Sequence, residues 1–298
     1  SASQDITIDA LRIEQIGENE KNLLAAGAAV SVAGWWTGYK IGGLISLVSA
    51  DILQKQGIEN YWQISFVILS GIVTLCCVGL LFIPEKNSTE KIDSQNLADQ
   101  ILINKIGSSN HFTRVLAWFY GTIINPLLSF FKKNTFNVAF AILGFIFLFK
   151  IGEAFLGRMS LVFYKEIGFS KTDIALYSKG IGWLTTVIFT LLGGLFAVRM
   201  GLVKAMFVSG IFMAATNIFF SVLAWVGSSE VLFAFTVLVD DLSAAFATVA
   251  FVGFISALVD RNYTATQYAL LASIGTAGRT LFASSSGMMV DWLNGNWI

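Results

Sequence analysis

The chain has 298 residues, of which 55% are hydrophobic and 13% are charged. A soluble globular domain carries about 25% charged residues, so this chain has about half of the usual number. Its mean hydropathy is +0.71, and several apolar runs exceed the ~20 residues that cross a hydrocarbon core about 30 Å thick. The composition excludes an ordinary soluble domain, a disordered chain and a secreted disulfide scaffold, and it predicts an all-α polytopic membrane protein.

The charge balance and the single histidine exclude further classes of function. The chain has 19 basic and 19 acidic residues, so no electrostatic case for nucleic-acid binding exists. His111 lies in a polar stretch, so we expect no His-ligated metal site within the membrane and no metal or cofactor at all. The expected partners are the lipid bilayer and a small molecule, and we expect the protein to be a monomer.

Eight apolar segments predict eight membrane helices. They fall at about residues 1–13, 23–50, 60–83, 136–164, 174–198, 203–226, 229–259 and 264–293. Ser1 already lies in an apolar segment with no signal peptide before it, and the chain stops soon after the last segment. We therefore expect an internal piece of a longer protein, with the first helix cut short.

One long polar stretch, 84–134, divides the chain. It suggests three parts: an N-terminal helix group at 1–83, a central loop at 84–135, and a C-terminal helix group at 136–298. Arg114 to Lys133 is rich in aromatic residues but too short to span a bilayer, and Pro126 would break a buried helix. This pattern favours an amphipathic helix on the membrane surface, with a solvated linker as the alternative.

Lysine and arginine are retained on the cytoplasmic side of membranes, so the loop charges predict the orientation. One set of alternate loops contains eleven of these residues, and the opposite set contains three. The richer set includes the central loop, which is therefore predicted to be cytoplasmic. The poorer set consists of Lys55, Lys165 and Lys171.

Two parts of the chain repeat one pattern. In each part a helix with paired acids accompanies a helix that has two glycines nine residues apart. The acids are Asp5 and Asp9, then Asp240 and Asp241; the glycines are Gly34 and Gly43, then Gly278 and Gly287. Two parallel halves joined by a long cytoplasmic loop resemble the major facilitator architecture, and the glycines are candidates for close helix packing.

Charged residues at membrane depth cost a debated ~2.5 kcal/mol or more each, so each needs a partner or a function. The apolar segments contain ten of them: Asp5, Asp9, Lys40, Lys150, Glu153, Arg158, Lys179, Asp240, Asp241 and Arg279. Such a number predicts a polar cavity between the helices.

The first segment places Gln4 and Asp5 about one turn from Asp9, on one helix face. A carboxylate in a partly dehydrated cavity favours its protonated form, as a proton-coupling site requires. Asp5 is the first candidate for proton coupling, with Gln4 and Asp9 beside it. The alternative is that Asp9, and also Asp5, pairs with Arg12 at the helix end.

The other intramembrane charges are candidates for substrate binding. Lys150 and Glu153 have i, i+3 spacing and can pair on one helix. Several cations that face one cavity would suit a carboxylate-bearing or phosphorylated ligand, and internal ion pairs are the alternative reading. The cations are Lys40, Lys150, Lys179 and Arg279.

Four stretches of the chain resemble one transporter family. Residues 1–10 read S-A-S-Q-D-I-T-I-D-A, and residues 27–32 read G-A-A-V-S-V before Gly34. Residues 150–155 read K-I-G-E-A-F, and residues 264–271 read T-A-T-Q-Y-A-L-L before Arg279. This combination is similar to the AmpG muropeptide permease family, within the major facilitator superfamily.

The resemblance implies an incomplete major facilitator fold with about eight of twelve core helices. In that fold, residues 1–83 would be the end of the N-terminal six-helix bundle, 84–135 the central cytoplasmic loop, and 136–298 a C-terminal bundle that lacks its last helix. The resemblance further implies proton-coupled import of GlcNAc-1,6-anhydroMurNAc and its peptide derivatives across the bacterial inner membrane. Asp5 would couple protons, Gln267 and Arg279 become substrate-binding candidates, and Gly27 joins the helix-packing glycines. Asp240 and Asp241 replace the family's Glu and Asn, so the second polar site departs from the family pattern.

Other functions remain open at this point. A transporter of another anionic metabolite, similar to acetyl-CoA transporters, and a drug/proton exporter are the alternatives. An enzyme is not expected, because a membrane-embedded transferase would need a polar catalytic constellation at the membrane surface. The only acidic doublet, Asp240-Asp241, lies inside an apolar helix.

Overall fold

A computed structural model describes residues 2–17, 20–83, 97, 115, 118–170, 174 and 181–293 of the chain. Helices and turns, without strands, make up this described part. Eleven α-helices occur in it: α1 Ala2–Gln15, α2 Lys21–Lys55, α3 Tyr61–Leu80, α4 Asn125–Asn134, α5 Phe136–Phe149, α6 Ile151–Ile167, α7 Ile181–Met200, α8 Leu202–Val226, α9 Glu230–Leu258, α10 Thr264–Ser284 and α11 Ser286–Trp292.

Five stretches of the described chain are long and apolar enough to cross a membrane. They are Tyr61–Leu80, Phe136–Ile167, Trp183–Met200, Leu202–Val226 and Glu230–Leu258. Helix α2 is longer than any of these single helices, with 35 residues, and at 1.5 Å per residue it extends over about 50 Å. The all-α membrane architecture predicted from hydropathy is confirmed.

Two helices that the sequence predicts as continuous are interrupted. The segment 136–164 is divided at Lys150, which ends α5 and precedes α6 with φ −99° and ψ 12°. The segment 264–293 is divided at Ser285, between α10 and α11. Periodicity could not show these breaks, because the apolar pattern continues through both. The beginning of the helix expected from residue 174 lies largely outside the described residues.

The described end of the central loop is helical. Tyr120–Ile124 forms a π-helical turn that runs into α4. Pro126 follows this π-helical turn directly and does not interrupt the helical run, because a local change from α to π hydrogen bonding can accommodate the missing N–H. Pro126 and Phe130 are buried, and α4 packs against α5 and α10. Only part of the surface of α4 is therefore available to water or lipid headgroups.

The N-terminal group, α1–α3, packs against the C-terminal group, α5–α11, through small residues. Helix α2 contacts α7 and α9, and α1 contacts α10. A Cβ added to Gly194 of α7 would collide with the Cβ of Ala29, and one added to Gly253 of α9 would lie 3.4 Å from the Ala25 Cα. Small side chains allow the helices to approach this closely. In a membrane the hydrophobic effect does not drive helices together, so close van der Waals packing of this kind stabilises their association.

The turns predicted to be cytoplasmic meet at one end of the structure. Arg261, in the 3₁₀ turn before α10, donates a hydrogen bond of 2.6 Å to the carbonyl of Ile13. Ser129 of α4 donates one of 2.7 Å to Asp260. The end of α1, the start of α4 and the α9–α10 turn therefore lie together, as the distribution of loop charges requires.

Among the glycines predicted to pack helices, Gly278 has the closest contact. A Cβ at this position would collide with the backbone carbonyl of Phe147, so α10 and α5 touch at backbone distance. Gly27 is also tight, since its Cβ would lie 3.0 Å from Ile16 Cδ1. Gly34 and Gly43 meet no described atom within 4 Å, so their packing role stays a prediction.

We predict that Gly278→Ala destabilises the protein, whereas Gly287→Ala does not. At Gly278 the added methyl group must displace backbone, and overpacking of this kind costs about 1–3 kcal/mol. At Gly287 the added Cβ would lie 3.9 Å from Met159 Cε, an ordinary contact. The check is the apparent melting temperature of both variants in detergent, and equal melting temperatures would contradict the prediction.

Candidate functional site

A charged cluster lies where the apolar segment breaks between α5 and α6. Lys150 occupies the break and is only 8% exposed. Its Nζ lies 2.7 Å from Glu153 Oε2, in the first turn of α6, and donates a hydrogen bond of 2.7 Å to Thr248 Oγ1 of α9. The N-terminal dipole of α6 also favours the negative charge of Glu153. The break thus holds an ion pair inside the bundle.

Arg279 of α10 approaches the same carboxylate. Its Nη2 lies 3.9 Å from Glu153 Oε1, and 53% of the Arg279 side chain is exposed. Within the described part of the chain, Arg279 makes no hydrogen bond. Arginine presents several N–H donors in a fixed fork, so this side chain retains donors for a ligand carboxylate or phosphate.

Two further acids complete the cluster. Asp240 of α9 lies near enough to Asp241 and Glu153 for their charges to interact, and the neighbouring Ser243 hydroxyl shares a hydrogen bond of 3.2 Å with Thr216 of α8. These acids are not arranged as metal ligands, since the described residues contain no group of three that could hold an ion. The cluster therefore combines three acids with two cations inside the bundle.

A second charged cluster joins α1 to the C-terminal group. Arg12 donates hydrogen bonds from Nε and Nη2 to Asp9 Oδ1, at 3.2 and 3.0 Å. The same Nη2 donates to Ser256 Oγ of α9 at 3.1 Å, and Ser31 of α2 donates to Asp9 at 3.4 Å. Tyr268 of α10 is buried close enough for the charges of Asp9 and Arg12 to act on it. The Asp9–Arg12 pairing is thus present, and its hydrogen bonds join three helices, α1, α2 and α9.

Asp5 and Gln4 lie on the exposed side of α1. No hydrogen bond or ion pair to Asp5 occurs among the described residues, although its charge acts on Tyr268. The Gln4 side-chain nitrogen lies 4.0 Å from Cys77 Sγ of α3. Asp5 thus differs from Asp9, because its carboxylate is not committed to a described partner.

Gln267 lies at the end of the structure predicted to be cytoplasmic, apart from the charged cluster of α6. It donates to the carbonyl of Pro126 at 2.9 Å and accepts from the Asp260 backbone N–H at 2.6 Å. Gln267 is buried and holds α4 against the α9–α10 turn. In the same turn, burial and the nearby Asp260 raise the pKa of Tyr263, which keeps its phenol neutral.

The other predicted site residues are dispersed. The Lys40 Nζ lies 5.3 Å from the ring centre of Trp36, at cation–π distance. Lys179 lies outside the described residues, and the side chain of Arg158 is not among those described. The structure therefore brings together Lys150, Glu153, Asp240, Asp241 and Arg279, and leaves Lys40 elsewhere on α2.

Sequence reasoning did not identify Thr248, Ser256 or Tyr268 as members of these clusters. Each is an ordinary residue in an apolar helix, and no local pattern distinguishes it from a packing residue. A helical-wheel comparison would have placed Thr248 and Asp241 on one face of α9, since they are two turns apart. That signal indicates a shared face but does not identify the neighbouring helix.

Comparison with known proteins identifies the family. The sequence pattern described as Major Facilitator Superfamily matches residues 20–283. The chain belongs to the Major Facilitator Superfamily. This membership agrees with the apolar, membrane-length helices of the described residues, and it points to a transporter rather than an enzyme.

Several members of this superfamily are similar along nearly the whole chain. A Rickettsia felis protein named AmpG 4 is 29% identical over 295 residues, which is 98% of this chain and 64% of the relative. The anhydromuropeptide permease of Escherichia coli K12 is 28% identical over 292 residues, 98% of this chain and 52% of the relative. This chain thus spans about half to two-thirds of the length of these curated relatives.

We predict that Arg12 and Ser256 are energetically coupled across the interface between the two groups. In a double-mutant cycle of Arg12→Gln and Ser256→Ala, the coupling energy should be about 1 kcal/mol, because the bond involves a charged donor. The free energy of unfolding in mixed micelles measures it. Arg12→Gln combined with Ser209→Ala is the matched control, since Ser209 bonds only within α8. Additive effects in both cycles would contradict the prediction.

Proposed function

We propose that this protein is a proton-coupled importer of anhydro-muropeptides in the bacterial inner membrane. The observation that carries the proposal is the cluster of Lys150, Glu153 and Arg279 at a broken helix, in a chain similar to an anhydromuropeptide permease. Broken helices in transporters place polar groups at membrane depth, where substrates bind. The cargo would be GlcNAc-1,6-anhydroMurNAc and its peptide derivatives, moved from periplasm to cytoplasm.

The charges of the cluster suit this cargo. The muramic residue carries a lactyl carboxylate, and the peptide derivatives carry peptide carboxylates. Arg279 is exposed enough to reach such a group, while Lys150 adds a second positive charge from the helix break. Arginine and lysine together favour a carboxylate over a neutral sugar, because a charge-assisted hydrogen bond is about twice as strong as a neutral one.

The acids of α1 are the proposed site of proton coupling. Asp5 has no described ion-pair partner, so protonation would change its charge without first breaking a bond. Asp9 is bound to Arg12 and to α2, so its charge is stabilised by the arginine. We therefore assign the proton-carrying role to Asp5, with Gln4 and Asp9 as its neighbours.

The transport cycle would use the interface between the two groups. In the structure the groups touch at the end predicted to be cytoplasmic, through Arg12–Ser256 and Arg261–Ile13. A transporter of this type would open that end by moving one helix bundle relative to the other. Protonation and substrate binding would shift the populations of the two states by their different affinities for each.

We expect full-length protein in proteoliposomes to accumulate labelled GlcNAc-anhydroMurNAc when the outside is more acidic than the inside. Accumulation should be abolished by a protonophore and competed by unlabelled disaccharide. Acetyl-CoA and a lipophilic drug serve as alternative cargoes in the same vesicles. Uptake of either one, without uptake of the disaccharide, would refute the muropeptide assignment.

Asp5→Asn should remove gradient-driven accumulation and leave exchange of labelled for unlabelled substrate across the membrane. The amide preserves the shape of the side chain but cannot bind and release a proton. The matched control is Asp51→Asn, because Asp51 forms an exposed ion pair with Lys55 on α2, and such pairs contribute about 0–1 kcal/mol. If Asp5→Asn accumulated substrate as the wild type does, Asp5 would not be the coupling residue.

A further inference from the structure

The carboxylate of Glu153 is held between cations that come from two different parts of the fold. Oε2 lies 2.7 Å from Lys150 Nζ, at the α5–α6 break, and Oε1 lies 3.9 Å from Arg279 Nη2, on α10. Each oxygen thus faces a different positive charge. A carboxylate group of a bound ligand would adopt the same position between these two cations.

The contacts of Glu153 are not those of a locked pair. Oε2 is buried, but no donor is aligned with it for a hydrogen bond in the described residues. The other oxygen, Oε1, lies 3.9 Å from Arg279 Nη2, which is the outer limit for an ion pair. By contrast, Asp9 accepts two aligned bonds from Arg12. Since the Glu153 contact is Coulombic rather than geometrically specific, it can be exchanged for another anion.

Both cations keep a polar environment if the Glu153 carboxylate moves away. Lys150 remains hydrogen-bonded to Thr248 of α9, and Arg279 has 53% of its side chain exposed. The N-terminus of α6 still faces the vacated position and attracts negative charge. These features describe an anion site that is occupied by a side chain of the protein itself.

We propose that Glu153 is an internal substitute for the substrate carboxylate, and that its protonation lets this carboxylate replace it on Lys150 and Arg279. The proposal rests on the proposed function, since it takes the muropeptide as the anion. The charges balance: Glu153 changes from −1 to 0 when it gains one proton, and the ligand brings −1. One proton therefore enters the site with each carboxylate.

Other ionisable groups lie on the helices around α6. Asp240 and Asp241 of α9 add negative charge on one side of Glu153, and Lys150 and Arg279 supply the positive charges that face it. Helix α8 contributes the neutral Thr216, and α11, which packs on α6, carries Asp291 one turn beyond Gly287. A ligand carboxylate that enters between the two cations would add one negative charge, which protonation of Glu153 would offset.

The test measures proton uptake when a carboxylate binds to the full-length protein in a weakly buffered detergent solution. The probes are GlcNAc-anhydroMurNAc, its neutral methyl ester and glucuronic acid, a simple sugar acid. Wild-type protein should take up about one proton per bound carboxylate and none with the ester. Carboxylate affinity should fall as the pH rises, because binding is linked to proton uptake.

Glu153→Gln mimics the protonated side chain and should uncouple the two events. Carboxylate affinity at alkaline pH should rise about tenfold, or about 1.4 kcal/mol. The proton uptake that accompanies carboxylate binding should disappear, whereas the gradient coupling assigned to Asp5 should remain. Glu166→Gln is the matched control, with the same change on the exposed end of the same helix, and it should behave as the wild type does. Arg279→Gln, at an exposed position, should weaken carboxylate binding about tenfold but retain the pH dependence.

The outcomes separate this proposal from the proposed function. If the disaccharide is transported but proton uptake is equal in wild type and Glu153→Gln, the exchange is refuted and the transport function stands. If only glucuronic acid binds, with proton uptake that Glu153→Gln abolishes, the exchange is supported and the muropeptide assignment fails. If neither carboxylate binds, or if Arg279→Gln binds as the wild type does, the exchange is refuted.

Discussion

The cost of placing a charge in a membrane is the constraint on which the rest of this structure depends. Each ionised side chain needs a partner, a polar cavity or a protonation event, because the hydrocarbon layer offers none of the hydration found in water. Most of the described charges in the apolar segments therefore collect in two clusters, one around Asp9 and Arg12 and one around Lys150 and Glu153, while Lys40 lies against Trp36 on α2. Between and around them, the helices are apolar and meet through small residues.

The two clusters stabilise their buried charges in different ways. Arg12 binds Asp9 through two aligned hydrogen bonds and reaches Ser256, so it connects α1 to α9. Lys150 and Arg279 face Glu153 by charge alone, beside a broken helix. The first arrangement is suited to holding two parts of the molecule together. The second leaves the Glu153 carboxylate without an aligned hydrogen bond on its buried oxygen, as the proposed exchange with a ligand anion requires.

Close helix contacts decide where these clusters can form. Gly278 lets α10 touch the backbone of α5 at Phe147, and Arg279 is the next residue. Gly194 and Gly253 allow α2 to approach α7 and α9, the helix that carries Ser256 and Thr248. A larger side chain at these glycines would move a helix, and with it a charged group. The small residues therefore set the distances between the charged groups as well as the packing of the helices.

The amino-acid sequence alone determined the membrane class, most helix positions and the inventory of intramembrane charges, and it predicts the side on which the basic loops lie. These are local properties, since hydropathy and charge are summed over neighbouring residues. Even the Asp9–Arg12 pair was foreseeable, because both residues lie on one helical turn. Only the tertiary structure decided that Lys150 stands at a helix break, that Arg279 shares Glu153 with it, and that Gln267 holds α4 instead of joining them. Those relations depend on contacts between helices far apart in the chain, and on the direction each helix turns its side chains, which no local pattern encodes.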